Sequence, residues 1–94
     1  MTTEKRTIDE MRRILLPLTL RRLLNWNKKI RLAYLMETAT GRLLLHKSSA
    51  SNLIIDDFGR ITLPQNVMQQ LNWVTGDKIL LKVKFYDGLV LLRT

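Results

Sequence analysis

Ile55-Asp56-Asp57-Phe58-Gly59-Arg60-Ile61-Thr62-Leu63-Pro64 has a near-copy earlier in the chain. Ile8-Asp9-Glu10-Met11-Arg12-Arg13-Ile14-Leu15-Leu16-Pro17 matches it at a displacement of 47 residues. Leu24-Asn25-Trp26 and Leu71-Asn72-Trp73 keep that displacement. The match then reads as slipping by two residues. Trp73 is followed by Val74-Thr75-Gly76-Asp77-Lys78-Ile79, whereas Trp26 has only Asn27-Lys28-Lys29-Ile30 before the next apolar run. It recovers where Gly41-x-x-Leu44-Leu45 matches Gly88-x-x-Leu91-Leu92. Two copies are too few for a solenoid. They predict a duplicated half-domain, a dimer written into one chain.

Length agrees with that reading. Ninety-four residues make one domain, spanning 1–94. Its repeats are 5–47 and 53–93, joined by a short linker over 48–52. A piece of about 45 residues is too small to bury an adequate core alone, so the two repeats should share one. There is no cysteine, which excludes a disulfide framework and a thiolate metal site. The single His46 excludes a histidine-rich metal site within one chain. No apolar run approaches the ~20 residues of a membrane span, and the Met-Thr-Thr-Glu start does not read as a signal peptide. The expected location is the cytoplasm, with no membrane partner.

Charge is lopsided. The net charge is +8. Residues 1–48 hold 11 Lys or Arg against 4 Asp or Glu, and residues 49–94 hold 5 against 4. A one-sided basic field is the electrostatic footprint of nucleic-acid binding.

Local chemistry predicts strand, strand, short helix, strand, turn and strand in each repeat. Residues 5–9 are β-prone and lead into acidic turns at Asp9-Glu10 and Asp56-Asp57. Arg13–Leu16 and Arg60–Leu63 are short strands that end at Pro17 and Pro64, residues suited to the start of a helix. Helices of about seven residues follow. Leu20, Leu23 and Leu24 share one face of the first, with Arg21 flanking and Arg22 opposite. Val67 and Leu71 keep that face in the second, while Met68 and Gln69 replace the arginines. Asn25 and Asn72 suit the left-handed cap. Hairpins should follow at Ile30–His46, turning at Thr38–Gly41, and at Lys78–Leu92, turning at Tyr86-Asp87-Gly88. Trp26 and Trp73 read as core, and His46 as a surface strand residue.

At Asp56-Asp57-Phe58-Gly59-Arg60-Ile61-Thr62-Leu63-Pro64, which carries D-x-x-G-R-I-x-L-P, the sequence resembles the AbrB-like family of swapped-hairpin barrels, prokaryotic transition-state regulators and antitoxins. The first copy carries the same motif with Arg12 in place of glycine. The resemblance covers about nine-tenths of the chain. It implies an all-β domain with two short helices, a swapped-hairpin barrel formed by internal duplication. It also implies double-stranded DNA as partner, transcriptional regulation as function and the nucleoid as location. The family binds DNA through basic residues on the first strand, after the Gly turn and on the helix. Carried over, these are Arg6, Arg13, Arg21 and Arg22, with Lys28, Lys29 and Arg31 adding to the field. The second repeat keeps only Arg60, with Leu53, Met68 and Gln69 at the other positions. One chain therefore carries one full set of arginines, which makes a homodimer an expected partner.

Other readings stay open. Arg13 and Arg60 could pair with the acids of the opposite turn or of their own. Lys28, Lys29 and Arg31 fit edge-strand charge as well as phosphate contact. An antitoxin of a toxin–antitoxin pair is the functional alternative, as is a protein-interaction module built on the second repeat. No nucleophile–base pair or phosphate-cradling glycine loop suggests an enzyme, and no cofactor or metal is implied.

Overall fold

The computed structural model describes residues 3–84 and 87–94. In chain order the elements are β1 (Thr3–Thr7), β2 (Arg13–Leu15), α1 (Leu18–Leu24), β3 (Arg31–Glu37), β4 (Arg42–Lys47), β5 (Leu53–Ile54), β6 (Arg60–Thr62), α2 (Gln65–Leu71), β7 (Lys78–Lys84) and β8 (Gly88–Arg93). The fold is mostly β, with two short helices. One sheet has six strands in the order β1-β7-β8-β4-β3-β5, and β2 and β6 form a separate two-stranded ribbon. In the second hairpin, Phe85 and Tyr86 lie outside the described residues.

Pairing runs mainly between the two halves. The hairpins β3–β4 and β7–β8 are local. Every other ladder joins one half to the other: β1 to β7, β5 to β3, β4 to β8 and β2 to β6, all antiparallel. The registers repeat at a constant displacement of 47 residues. Thr7 faces Lys78 as Ile54 faces Arg31, and Leu43 faces Leu91 as Val90 faces Leu44. Arg13 faces Thr62 as Arg60 faces Leu15, and Ile14 faces its own counterpart, Ile61. The pairing thus has an approximate twofold axis through the ribbon.

The two-residue slip expected after Trp26 does not occur. Leu32, not Ile30, is the counterpart of Ile79, and both are fully buried. Lys28, Lys29 and Ile30 take the places of Thr75, Gly76 and Asp77. The Lys29 amide donates to the Ile55 carbonyl at 2.7 Å, as the Gly76 amide donates to that of Ile8 at 2.8 Å. Lys29 accordingly adopts φ 74° where Gly76 has φ 92°. Matching apolar residues alone concealed this, because a lysine had been asked to do what glycine does without steric cost. Arg12 is a second case, keeping φ 60° where Gly59 has φ 82°.

Helix boundaries follow local chemistry. Pro17 and Pro64 sit at the N-caps, extended at ψ 143° and 147°. Asn25 and Asn72 take left-handed conformations at φ 57° and 56°. The next amides, Trp26 and Trp73, donate back to the Arg21 and Met68 carbonyls at 2.8 Å, satisfying carbonyls that a helix end leaves free. Only Leu20 and Leu24 of α1 are buried, and Leu23 is 60% exposed rather than on the core face. Both tryptophans are buried.

The halves share one core. Ile8, Ile14, Leu16, Leu20 and Leu32 are buried together with their counterparts Ile55, Ile61, Leu63, Val67 and Ile79. Burying such side chains contributes roughly 1.5–3 kcal/mol each relative to exposure, before chain entropy opposes it. Among the described residues no polar or charged residue is buried.

Candidate nucleic-acid interface

The ribbon organises the basic residues. Strand alternation turns Ile14 and Ile61 into the core and puts Arg13, Leu15, Arg60 and Thr62 on the outer face. Because Arg13 faces Thr62 and Arg60 faces Leu15, the two arginines are diagonal neighbours, at a spacing of about 7–8 Å.

Each is held by the aspartate of its own turn. Asp9 accepts from the amides of Met11 at 2.9 Å and Arg13 at 2.8 Å, and from Arg13 Nε at 2.8 Å. Asp56 does the same for Phe58, Arg60 and Arg60 Nε at 2.9, 2.9 and 3.0 Å. Desolvation, the largest single influence, pushes both carboxyls up. It is outweighed by the sum of these hydrogen bonds and the neighbouring guanidinium charge, which leave Asp9 and Asp56 below their ordinary value. The own-turn pairing settles the alternative left open by the sequence. With Nε occupied, the terminal nitrogens of Arg13 and Arg60 make no hydrogen bond among the described residues. Arg60 also lies 4.8 Å over the ring of Phe58, which is 73% exposed.

Arg21 and Arg22 lie on α1. Arg21 Nε donates to the Leu16 carbonyl at 3.0 Å. Its guanidinium covers Gly59, where an added Cβ would come within 2.8 Å of a terminal nitrogen. Arg22 is exposed and makes no ion pair among the described residues. Lys29 pairs with Asp57 at 3.3 Å. First-half cations therefore assemble on the second half's turn: Arg21 and Lys29 meet the segment Asp57–Gly59, next to Arg60. Arg13 sits at the opposite end of the ribbon, on its own turn.

The remaining candidates stand further out. Arg6 lies in the six-stranded sheet, opposite Ile79, bonded to the Lys5 carbonyl at 2.7 Å and paired with Glu4 at 3.4 Å. Glu4 in turn accepts from Thr19 Oγ1 at 3.5 Å, which sets β1 against the start of α1. Arg31 faces Ile54 of the short edge strand and donates to the Ser51 carbonyl at 3.1 Å. Lys28 is exposed in the turn before β3.

Arg12 is absent from the sequence-derived set. Its Nε donates to the Leu63 carbonyl at 3.2 Å. The available signal was a reciprocal one: an arginine at a glycine position in one copy, and a lost arginine on the helix of the other.

Chemically, Arg12, Arg13, Arg21 and Arg60 are guanidinium forks fixed at Nε, a geometry suited to bidentate contact with phosphate. Among the described residues no three His, Cys, Asp or Glu side chains are placed to hold a metal ion, and no helix is long and apolar enough to cross a membrane. No family model matches the chain, and no curated protein is significantly similar to it.

Proposed function

We propose that this chain is a DNA-binding transcriptional regulator of the AbrB-like type, its fold a swapped-hairpin barrel made by internal duplication. The exchange of strands between halves at a constant displacement supports the barrel reading. The observation that carries the function is the ribbon face. Arg13 and Arg60 stand on it as a fixed pair, with Arg21 next to Arg60. Phosphate neutralisation by these groups would supply affinity, with Arg6, Lys28, Lys29 and Arg31 adding to the field. Phosphate contacts position a protein but carry no base information directly, so specificity would rest on DNA shape and deformability.

Titration of the chain against a duplex at several salt concentrations tests this. The log–log slope should be near −0.9 per neutralised phosphate, hence roughly −3 or steeper for the set. Between 50 and 200 mM salt the affinity would then fall at least about 60-fold. An affinity that barely changes over that range refutes the phosphate mechanism.

A protein partner, such as a toxin, is the second reading. It is favoured by the exposed apolar tips of the two turns, Met11 and Phe58. A chain with no duplex affinity would leave that reading standing.

A further inference from the structure

Arg12 and Arg21 occupy unrelated places in the sequence but do the same thing in the fold. At the constant displacement of 47, Leu16 corresponds to Leu63, Gly59 to Arg12, and Arg21 to Met68. Arg21 Nε donates to the Leu16 carbonyl, and Arg12 Nε donates to the Leu63 carbonyl. The two acceptors are counterparts. Each end of the ribbon therefore carries one guanidinium on the same backbone oxygen, delivered from the helix at one end and from the turn at the other.

The neighbouring residues explain why the delivery differs. At the first end, Arg21 covers Gly59 so closely that even a methyl group there would touch it. An arginine at position 59 would displace the Arg21 guanidinium from its place over the turn. At the second end the helix supplies Met68 in place of an arginine. Arg12 shares an open surface groove with Met68, Gln65 and Gln69. Each end thus carries one guanidinium on the equivalent carbonyl. The arrangement persists although Arg12 must hold a left-handed backbone at φ 60°, which L side chains disfavour.

We propose that Arg12 is a phosphate-binding residue, the functional counterpart of Arg21. This rests on the DNA-binding reading above and extends it to partner geometry. The chain then presents two equivalent arginine pairs about the ribbon axis: Arg12 with Arg13, and Arg21 with Arg60. Such a set matches twofold-related phosphates on a duplex without a second chain. One chain per DNA site is the consequence, in place of the homodimer implied by counting arginines along the first repeat alone.

The test compares the full chain with R12G, M68R and R12G/M68R, by fluorescence anisotropy on one duplex over a salt series, with stoichiometry at saturation. R12G should shift the log–log slope by about 0.9 toward zero and weaken binding about 8-fold at 0.1 M salt. R12G/M68R, which rebuilds the Arg21–Gly59 arrangement at the second end, should recover wild-type affinity within about twofold. Placing the charge elsewhere on the helix, in R12G/Q70R, should not. Thermal melts of all variants separate binding from folding, because glycine at position 12 relieves the left-handed strain and should leave the melting temperature unchanged or raised. A salt-dependent wild type whose slope R12G leaves intact overturns the role of Arg12 while the DNA-binding reading stands. Failure of R12G/M68R to recover, or two chains per site, also overturns the inference. A wild type without salt-dependent duplex affinity overturns both.

Discussion

Replacing Lys29 by glycine should leave the protein more stable than replacing it by alanine, although both remove an ion pair. Lys29 holds φ 74°, in the region that costs an L residue roughly 1–2 kcal/mol. Glycine removes that cost but adds freedom to the unfolded chain, which opposes it by about 0.4–1 kcal/mol. The ion pair to Asp57 has both side chains largely exposed, at 73% and 61%, and such pairs contribute little, about 0–1 kcal/mol before salt screening. The cleaner comparison is K29G against K29A, since both lose the ion pair and only one keeps the strain. K29G should be the more stable by about 0.5–1 kcal/mol, the difference between the first two effects. For a domain of this size that is roughly 2–8 °C in melting temperature. Far-UV circular dichroism melts in moderate salt, checked for reversibility, measure it. If K29G melts at or below K29A, the backbone at Lys29 is not strained. The left-handed conformation that Lys29 shares with Gly76 would then carry no cost, and the strain argument fails.

Three further outcomes follow from the same structure. I14A and I61A should each cost about 2–5 kcal/mol and should resemble each other, because both side chains are fully buried and face one another across the ribbon; chemical denaturation measures this, and a large inequality would contradict the twofold packing. Residues 1–48 or 50–94 alone should be unfolded or dimeric by sedimentation, since four of the six ladders among the described residues need a strand from the other half; a folded monomeric half refutes the shared core. Asp9 and Asp56 have lowered folded pKa values, so the stability they contribute is present above their ordinary value of 3.8 and is lost as pH falls through it toward the folded values. D9N/D56N should therefore show a shallower decline of stability between about pH 5 and 3 than the wild type, and an equal decline would mean the carboxylates are not engaged.

What could be read in advance was local. The Pro-started, Asn-capped helices and the aspartate turns depend on residues a few positions apart, and they formed where their chemistry placed them. Leu23 misled because a seven-residue helix against this core buries only two leucines of α1. Lys29 misled because hydropathy does not report φ. The basic site was only partly visible for a different reason. Arg21 reaches Gly59 and Arg12 reaches Leu63, contacts between halves that depend on which strands exchange. Arg13 and Arg60 were visible as residues, but their anchoring depended on an aspartate four positions back closing its own turn.

The exchange of strands also dictates an order of events during synthesis. Among the described residues β1 pairs only with β7, and β2 only with β6, so neither pairing can be completed while the ribosome holds the second half. Among the described residues, the hairpin β3–β4 is the only ladder the first half can close by itself. Until residues 60–84 emerge, the nascent chain carries Ile8, Ile14, Leu16 and Leu20 without the second-half residues that complete their core. Long-range pairing of this kind folds slowly and leaves such stretches open to aggregation in the interval. The positive charge concentrated in those same first 48 residues would oppose contact between early chains by mutual repulsion, before any fold exists.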